Sequence, residues 1–244
     1  MQVPLDLREL TGHSLKHSLM HDVTFSTAND AGDGFTASLK TELAGHQLGG
    51  DVHHLKNELW ARFQQYLHPL TFAVAARVGH LSHLSMPPAE LNSFQADKPL
   101  ARQPHVAPFL ADRFFLGGTL NVRGFRHQGI GPRLGAYAVG GSAYWAAAAH
   151  VFSPLPGRLR QHIGDAVQLH AFANAGNVLS QAQLSQNWRH HALNDVACSY
   201  GFGLRLRASF CQLELNYALP VPWNSPSQHV TSPGFSVGAS WEFL

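Results

Sequence analysis

From Ser199 to Arg207 every second residue is apolar. Tyr200, Phe202, Leu204 and Leu206 fall on one side; Ser199, Gly201, Gly203, Arg205 and Arg207 fall on the other. A period of two belongs to an extended strand, whose successive side chains point to opposite faces. The pattern returns in Cys211, Leu213, Leu215 and Tyr217 against Gln212, Glu214 and Asn216. It closes the chain in Phe235, Val237, Ala239, Trp241 and Phe243 against Ser236, Gly238, Ser240 and Glu242. Weaker versions run over Leu15–Phe25, Phe35–Leu43, Glu58–Leu67, Phe72–Gly79, Gly140–Phe152 and Ala166–Asn174. Nine strands are expected, each long enough to cross the ~25 Å apolar band of a membrane barrel.

The polar faces decide between a soluble sandwich and a membrane barrel. A soluble sheet carries many Lys and Glu on its solvent side. Here the polar positions are mostly Gly, Ser, Asn and Gln, which suit an enclosed lumen. Composition agrees: only 13% of the 244 residues are charged, about half of the ~25% usual for soluble domains. The longest apolar run, Ala143–Val151, is interrupted by His150 and falls far short of the ~20 residues of a membrane helix. The expected fold is therefore all-β, an antiparallel transmembrane β-barrel in one domain spanning 1–244. A soluble β protein is the alternative. The net charge of +2 gives no reason to expect nucleic acid as a partner.

One stretch does not read as strand. Arg113–Pro132, RFFLGGTLNVRGFRHQGIGP, is rich in glycine and sets Arg123 between Val122, Gly124 and Phe125. It follows Ser85–Asp112, which is rich in proline and polar residues. Together they make the longest connection, read here as an ordered loop with one purposeful charge. Shorter turns are expected at Leu155-Pro156-Gly157 and Pro220–Pro226.

Other candidate chemistry is sparse. Cys198 and Cys211 cannot define a disulfide framework and read as small apolar strand residues. The histidine clusters His53-His54, His190-His191 and His13/His17/His21 lack zinc-site spacing. Gly117-Gly118 is not followed by the Lys-Ser/Thr of a phosphate loop. Trp60, Trp145, Trp188, Trp223 and Trp241 fit interfacial belts as well as core. No catalytic dyad stands out. No enzyme activity, metal or cofactor is expected.

The loop resembles the long loop of the outer-membrane assembly superfamily, also called the bacterial surface antigen family. Its hallmark is Val-Arg-Gly-Phe/Tyr, here Val122–Phe125, after an Arg-Phe-aromatic and a Gly-Gly, here Arg113-Phe114-Phe115 and Gly117-Gly118. Gly12–Lys16, Gly141–Trp145 through Pro154-Leu155-Pro156, an Asn174-Ala175-Gly176-Asn177 turn and Leu213–Tyr217 are similar to the mitochondrial sorting-and-assembly barrel subunits within that family. Ser236-x-Gly238-x-x-Trp241-x-Phe243 fits the polar-x-Gly-x-x-hydrophobic-x-hydrophobic signal of mitochondrial barrel proteins. Its last two positions share the lipid face, and its glycine permits close backbone approach.

The resemblance implies that the loop folds into the lumen and that Arg123 binds inward polar groups of later strands. Glu214 and Glu242 face inward by the alternation, and Asn174, standing where bacterial relatives carry a carboxylate, could accept a hydrogen bond. A solvated loop arginine is the alternative. The implied function is insertion of β-barrel proteins into the mitochondrial outer membrane by templated strand pairing. Implied partners are unfolded barrel precursors, peripheral subunits of the machinery and the lipid bilayer. The first 25 residues lack an apolar h-region, which fits an internal mitochondrial targeting signal better than a secretory one. The nine strands correspond to the last nine of a sixteen-stranded family barrel. Its polypeptide-transport-associated domain and first seven strands find no counterpart. A truncated or interfering paralogue and a passive pore are the rival functions.

Overall fold

A computed structural model of the chain describes residues 15–29, 32–45, 48–84, 109–157, 166–207, 211–221 and 229–241, without the side chains of 240 and 241. Gly12–Ser14, Glu242, Phe243 and most of Ser85–Asp112 lie outside the described residues.

Nine strands form one antiparallel sheet: β1 (Ser18–Ser26), β2 (Gly34–Ala44), β3 (His54–Leu67), β4 (Leu70–His83), β5 (Ala143–Pro154), β6 (Val167–Leu179), β7 (Ala197–Arg207), β8 (Cys211–Val221) and β9 (Gly234–Trp241). Each pairs with its sequence neighbour, in the order β1 to β9. The wall is open, with β1 and β9 at its edges. Strands β2 to β8 hold 11 to 14 residues. At ~3.3 Å per residue, a tilted strand of that length crosses the apolar band.

The register sorts the side chains as the alternation implies. Val23 faces Leu39 and Leu39 faces Leu59; Leu204 faces Leu215, which faces Val237. This outer face leaves Leu19, Phe25, Phe35, Phe63, Phe202 and Phe235 exposed. A continuous apolar surface of this size on every strand is a lipid-facing surface. The opposite, concave face holds Glu42, Arg62, Asn174, Arg205, Glu214 and Asn216, all buried or partly buried. Among the described residues no helix is long and apolar enough to cross a membrane; the spanning elements are strands.

Three local expectations change. β3 starts at His54 rather than near Glu58, and Trp60 is an inward residue beside Arg62. Asn174–Asn177 does not turn but continues β6, where Gly176 makes room: a Cβ there would come within 2.7 Å of Leu116 Cδ2. Pro220 is a strand residue opposite Ser199, since β8 runs on to Val221.

A helix, α1 (Gln181–Asn194), connects β6 to β7. Ser180 caps it: the Ser180 hydroxyl accepts from the Gln183 amide, and the Gln183 side chain accepts from the Ser180 amide. That S-x-x-Q box was readable in the sequence but lies in a segment without clear periodicity. The helix and the 109–142 connection share one end of the wall with the β8–β9 link. The other end has short links, such as the β3–β4 turn at His68-Pro69. The two ends are thus unlike.

Candidate functional site: the lumen loop and the last strands

Residues 109–132 fold onto the concave face. Phe114 bridges Gly141, Leu116 bridges Ile130, and Phe125 bridges Thr231. Leu116, Val122, Phe125 and Ile130 bury themselves against Val178 of β6 and Ala197 of β7, with Tyr144 and Ala146 of β5 alongside. This apolar patch inside a polar lumen explains the loop's aromatic and aliphatic content. The glycines allow the fold: Gly117 has φ +104, and a Cβ there would lie 2.7 Å from the Arg126 carbonyl oxygen. Gly124, at φ +83, brings the hallmark backbone against Ser199 and Ala218.

The arginine of the hallmark is turned inward. Arg123 Nη2 donates to Glu214 Oε2 on β8. Both residues are 6% exposed. Glu214 also accepts from Asn216 Nδ2 at 3.0 Å and from Gln212 Nε2 at 2.8 Å. The guanidinium lies over the Phe172 ring, 4.9 Å from its centroid. A buried cation is costly unless paired and hydrogen bonded, and here one carboxylate does both.

The loop also touches the edge strand. Gly238 of β9 sits opposite Glu214, and a Cβ on Gly238 would come within 2.9 Å of Leu120 Cδ2 and 3.7 Å of Thr119 Cβ. Behind it, the segment leading into β9 binds the loop by its backbone: Arg126 donates to Val230, Val230 to Gly129, and Ser232 to Gly124. His229 completes this seam. Its Nδ1 accepts from the Gly131 amide at 3.3 Å and its Nε2 donates to the Asp195 carbonyl at 3.0 Å. Burial pushes the His229 pKa below its usual value, against the pull of that carbonyl and of the Asp195 charge.

A profile of the Omp85 superfamily domain matches residues 4–243. The chain belongs to the Omp85 superfamily. It is 34% identical over 247 residues to the sorting and assembly machinery component 50 homolog of Xenopus tropicalis, and 33% over 247 residues to that of Homo sapiens. Each alignment covers 98% of this chain and 48% of the relative. A SAM50-like protein of Schizosaccharomyces pombe is 30% identical over 243 residues, covering 96% and 46%. The chain therefore spans about half the length of the curated relatives it matches. The crystal structure of BamA from Haemophilus ducreyi lacking POTRA domains 1–3 superposes with a TM-score of 0.66 at 15% identity, covering 97% of this chain and 46% of that one. The wall is thus a piece of the same barrel architecture.

In this Omp85 chain the sequence candidates part ways. Gly117, Gly118, Val122, Arg123, Gly124 and Phe125 are gathered in the loop. Of the three possible acceptors, Glu214 meets Arg123 and Asn174 does not: both polar atoms of the Asn174 side chain are buried without a hydrogen-bond partner among the described residues. Asn174 lies opposite Ser199. Glu242 and Phe243 lie outside the described residues. Ser236 and Gly238 face the lumen on β9, and Trp241 ends that strand.

Sequence reading missed the loop's second anchor. Asp112, in a short 3-10 turn at Leu110–Asp112, accepts from Lys16 Nζ at 2.5 Å, and Lys16 also pairs with Glu42 of β2 at 2.7 Å. His54 of β3 stands between the two carboxylates, at 3.8 and 4.0 Å. The Asp112 carbonyl accepts from Lys56 Nζ at 3.1 Å. Burial alone would lower the Lys16 pKa; the hydrogen bonds and charges of Asp112 and Glu42 outweigh it and raise it. The loop thus ties β2 and β3 at its start to β8 and β9 at its middle. Between it and the wall a cavity of about 600 Å³ remains, lined by Lys56, Arg62, Arg77 and Arg113 with Glu58 and Glu214. Among the described residues no three His, Cys, Asp or Glu side chains are placed to hold a metal ion.

Proposed function

We propose that this chain takes part in inserting β-barrel proteins into the mitochondrial outer membrane, with β9 as the strand beside which a precursor strand is templated. The observation that carries this reading is the combination of an edge strand and an internal brace. Among the described residues β9 pairs only with β8, and the outer row of backbone N–H and C=O groups of such an edge can take up an extended segment. The loop holds the same strand from inside through Leu120, Gly238 and the 229–232 seam. A templating edge has to keep its register while its partner changes, and an internal brace supplies that. The names of the relatives, sorting and assembly machinery components, support the same role.

The work is recognition and hydrogen-bond exchange, with no covalent step. Its partners in this reading are unfolded barrel precursors, the peripheral subunits of the machinery and the bilayer. The test is rescue: express the chain in cells depleted of the full-length assembly subunit and follow the appearance of folded mitochondrial barrels. Restored assembly supports the proposal. No rescue, with assembly also impaired in undepleted cells, supports a competing, interfering chain instead.

A further inference from the structure

The cavity between the loop and the wall has a floor of small side chains. The alanine run of β5 puts Ala146 and Ala148 on the concave face, where they meet Arg77 and Ala75 of β4. One strand further, Arg77 faces Trp60 and Ala75 faces Arg62. Bulky inward residues resume on β5 at His150 and Phe152, so the run opens room at this level. The loop roofs the floor from Arg113 to Arg123. The enclosed volume, about 600 Å³, lies within the ~300–1,000 Å³ of small-molecule sites.

Among the described residues six cationic side chains and two carboxylates line this space. The cations are Lys56 and Arg62 of β3, Arg77 of β4, Arg205 of β7, and Arg113 and Arg123 of the loop. Both carboxylates are engaged. Glu214 takes Arg123; Glu58 accepts from the Tyr144 hydroxyl at 3.1 Å and stands 3.7 Å from Lys56 Nζ. Arg62 donates to Gln64, Arg113 to the Val139 carbonyl and Arg205 to Gln168. Neutral acceptors orient a guanidinium without cancelling its charge. The lining thus carries four more positive charges than negative ones. A cleft lined by one sign of charge focuses its field and raises the local concentration of the opposite ion. Guanidinium forks match phosphate oxygens two at a time.

We propose that this cavity binds a small polyvalent anion of the phosphate class, held by Arg62 and Arg77 from the wall and by Arg113 from the loop. The cations come from three strands and the loop, so they surround a compact ligand that has oxygens on several sides. An extended acidic peptide would meet such a group along one line only. The cavity lies on the concave face, away from the lipid-facing side of the wall, so the ligand arrives from water rather than from a bilayer. Bound there, the anion joins the loop to β3 and β4, between the anchors at Asp112 and Glu214. The inference concerns the brace alone and stands or falls separately from the templating role.

The test is calorimetric titration of the full chain, in phosphatidylcholine vesicles, with sodium tripolyphosphate at fixed ionic strength. Saturable binding is expected. Arg77→Gln should weaken it about tenfold, the scale of one lost charge-assisted hydrogen bond. Arg77→Lys should weaken it less, and Arg189→Gln on α1 not at all. On the unaltered chain, saturating tripolyphosphate should slow tryptic cleavage at Arg126 severalfold, relative to trypsin acting on a free peptide; sodium chloride of equal ionic strength should not. Since Trp60 faces Arg77, Trp60→Phe should remove the change in tryptophan emission that tripolyphosphate causes. Absence of saturable binding, an affinity untouched by Arg77→Gln, unchanged cleavage, or an emission change kept in Trp60→Phe would each overturn the proposal. So would tighter binding of hexaglutamate than of tripolyphosphate, which would mark the cavity as a peptide site.

Discussion

Arg123 and Glu214, 91 positions apart, form a buried ion pair that joins the lumen loop to β8. Breaking a buried pair from one side strands a charge, at about 3–5 kcal/mol. Proteolysis of a transiently opened segment tracks its open population, and 1.4 kcal/mol is tenfold. Glu214→Ala should therefore raise the rate of tryptic cleavage at Arg126 by about 10²- to 10³-fold or more. Glu214→Gln keeps an acceptor and should raise it less. A cleavage rate unchanged in Glu214→Ala would show that the pair does not hold the loop.

The contact between Leu120 and Gly238 is a matter of volume. Gly238→Val places side-chain atoms where Leu120 Cδ2 already stands, and overpacking of this kind costs about 1–3 kcal/mol. Gly238→Val alone should loosen the loop tip and edge strand, read as faster amide exchange at Val237–Ala239. Adding Leu120→Ala should recover most of the loss. Two variants whose effects simply add would mean that the residues do not meet.

Asp112 should behave as a weaker anchor than Arg123. Its pair with Lys16 is partly solvated, the two side chains being 11% and 30% exposed, so screening leaves it about 1 kcal/mol or less. Asp112→Asn and Lys16→Gln should each raise cleavage near Arg113 only a few fold, and the double variant should match the single ones. Chymotryptic cleavage at Phe114 and Phe115 provides the readout.

The seam at His229 should depend on pH. Its folded pKa is held down by burial, whereas an unfolded histidine titrates near ~6.5. A depressed histidine contributes stability that is full above the unfolded pKa and is lost as pH falls through the folded one. Protonation at Nδ1 also removes the acceptor for the Gly131 amide. Exchange of the Gly131 and Val230 amides should therefore accelerate as pH falls below about 6.5, after correction for intrinsic rates. His229→Gln should flatten that dependence.

Much of this arrangement was legible because a barrel wall imposes a strict period of two. Once Leu213 and Leu215 are placed outward, Glu214 has to face the lumen, and Arg123 is the hallmark cation of the glycine-rich segment that cannot be a strand, which also carries Arg113 and Arg126. The period of two places the wall and its faces; it says nothing about what lies across the lumen. Asp112 closes a proline-rich stretch, and its partners Lys16 and Glu42 come from far earlier in the chain. A turn at Asn174–Asn177 is expected only through the resemblance to the family; the helix that satisfies the Asn177 amide and the loop that needs Gly176 small are both tertiary. Ser180 and Gln183 did announce α1, but two residues without a periodic face behind them carry little weight.

Among the described residues the wall counts nine strands, each reversing direction on its neighbour. Nine is odd, so β1 and β9 point the same way. Brought together directly they could join only as a parallel pair, whereas bacterial barrels keep an even number and antiparallel pairing throughout. Two equal copies inserted in the same sense meet the same obstacle at every edge. Antiparallel closure of this wall therefore requires an odd number of further strands between β9 and β1, and a single templated strand is the smallest number that satisfies it.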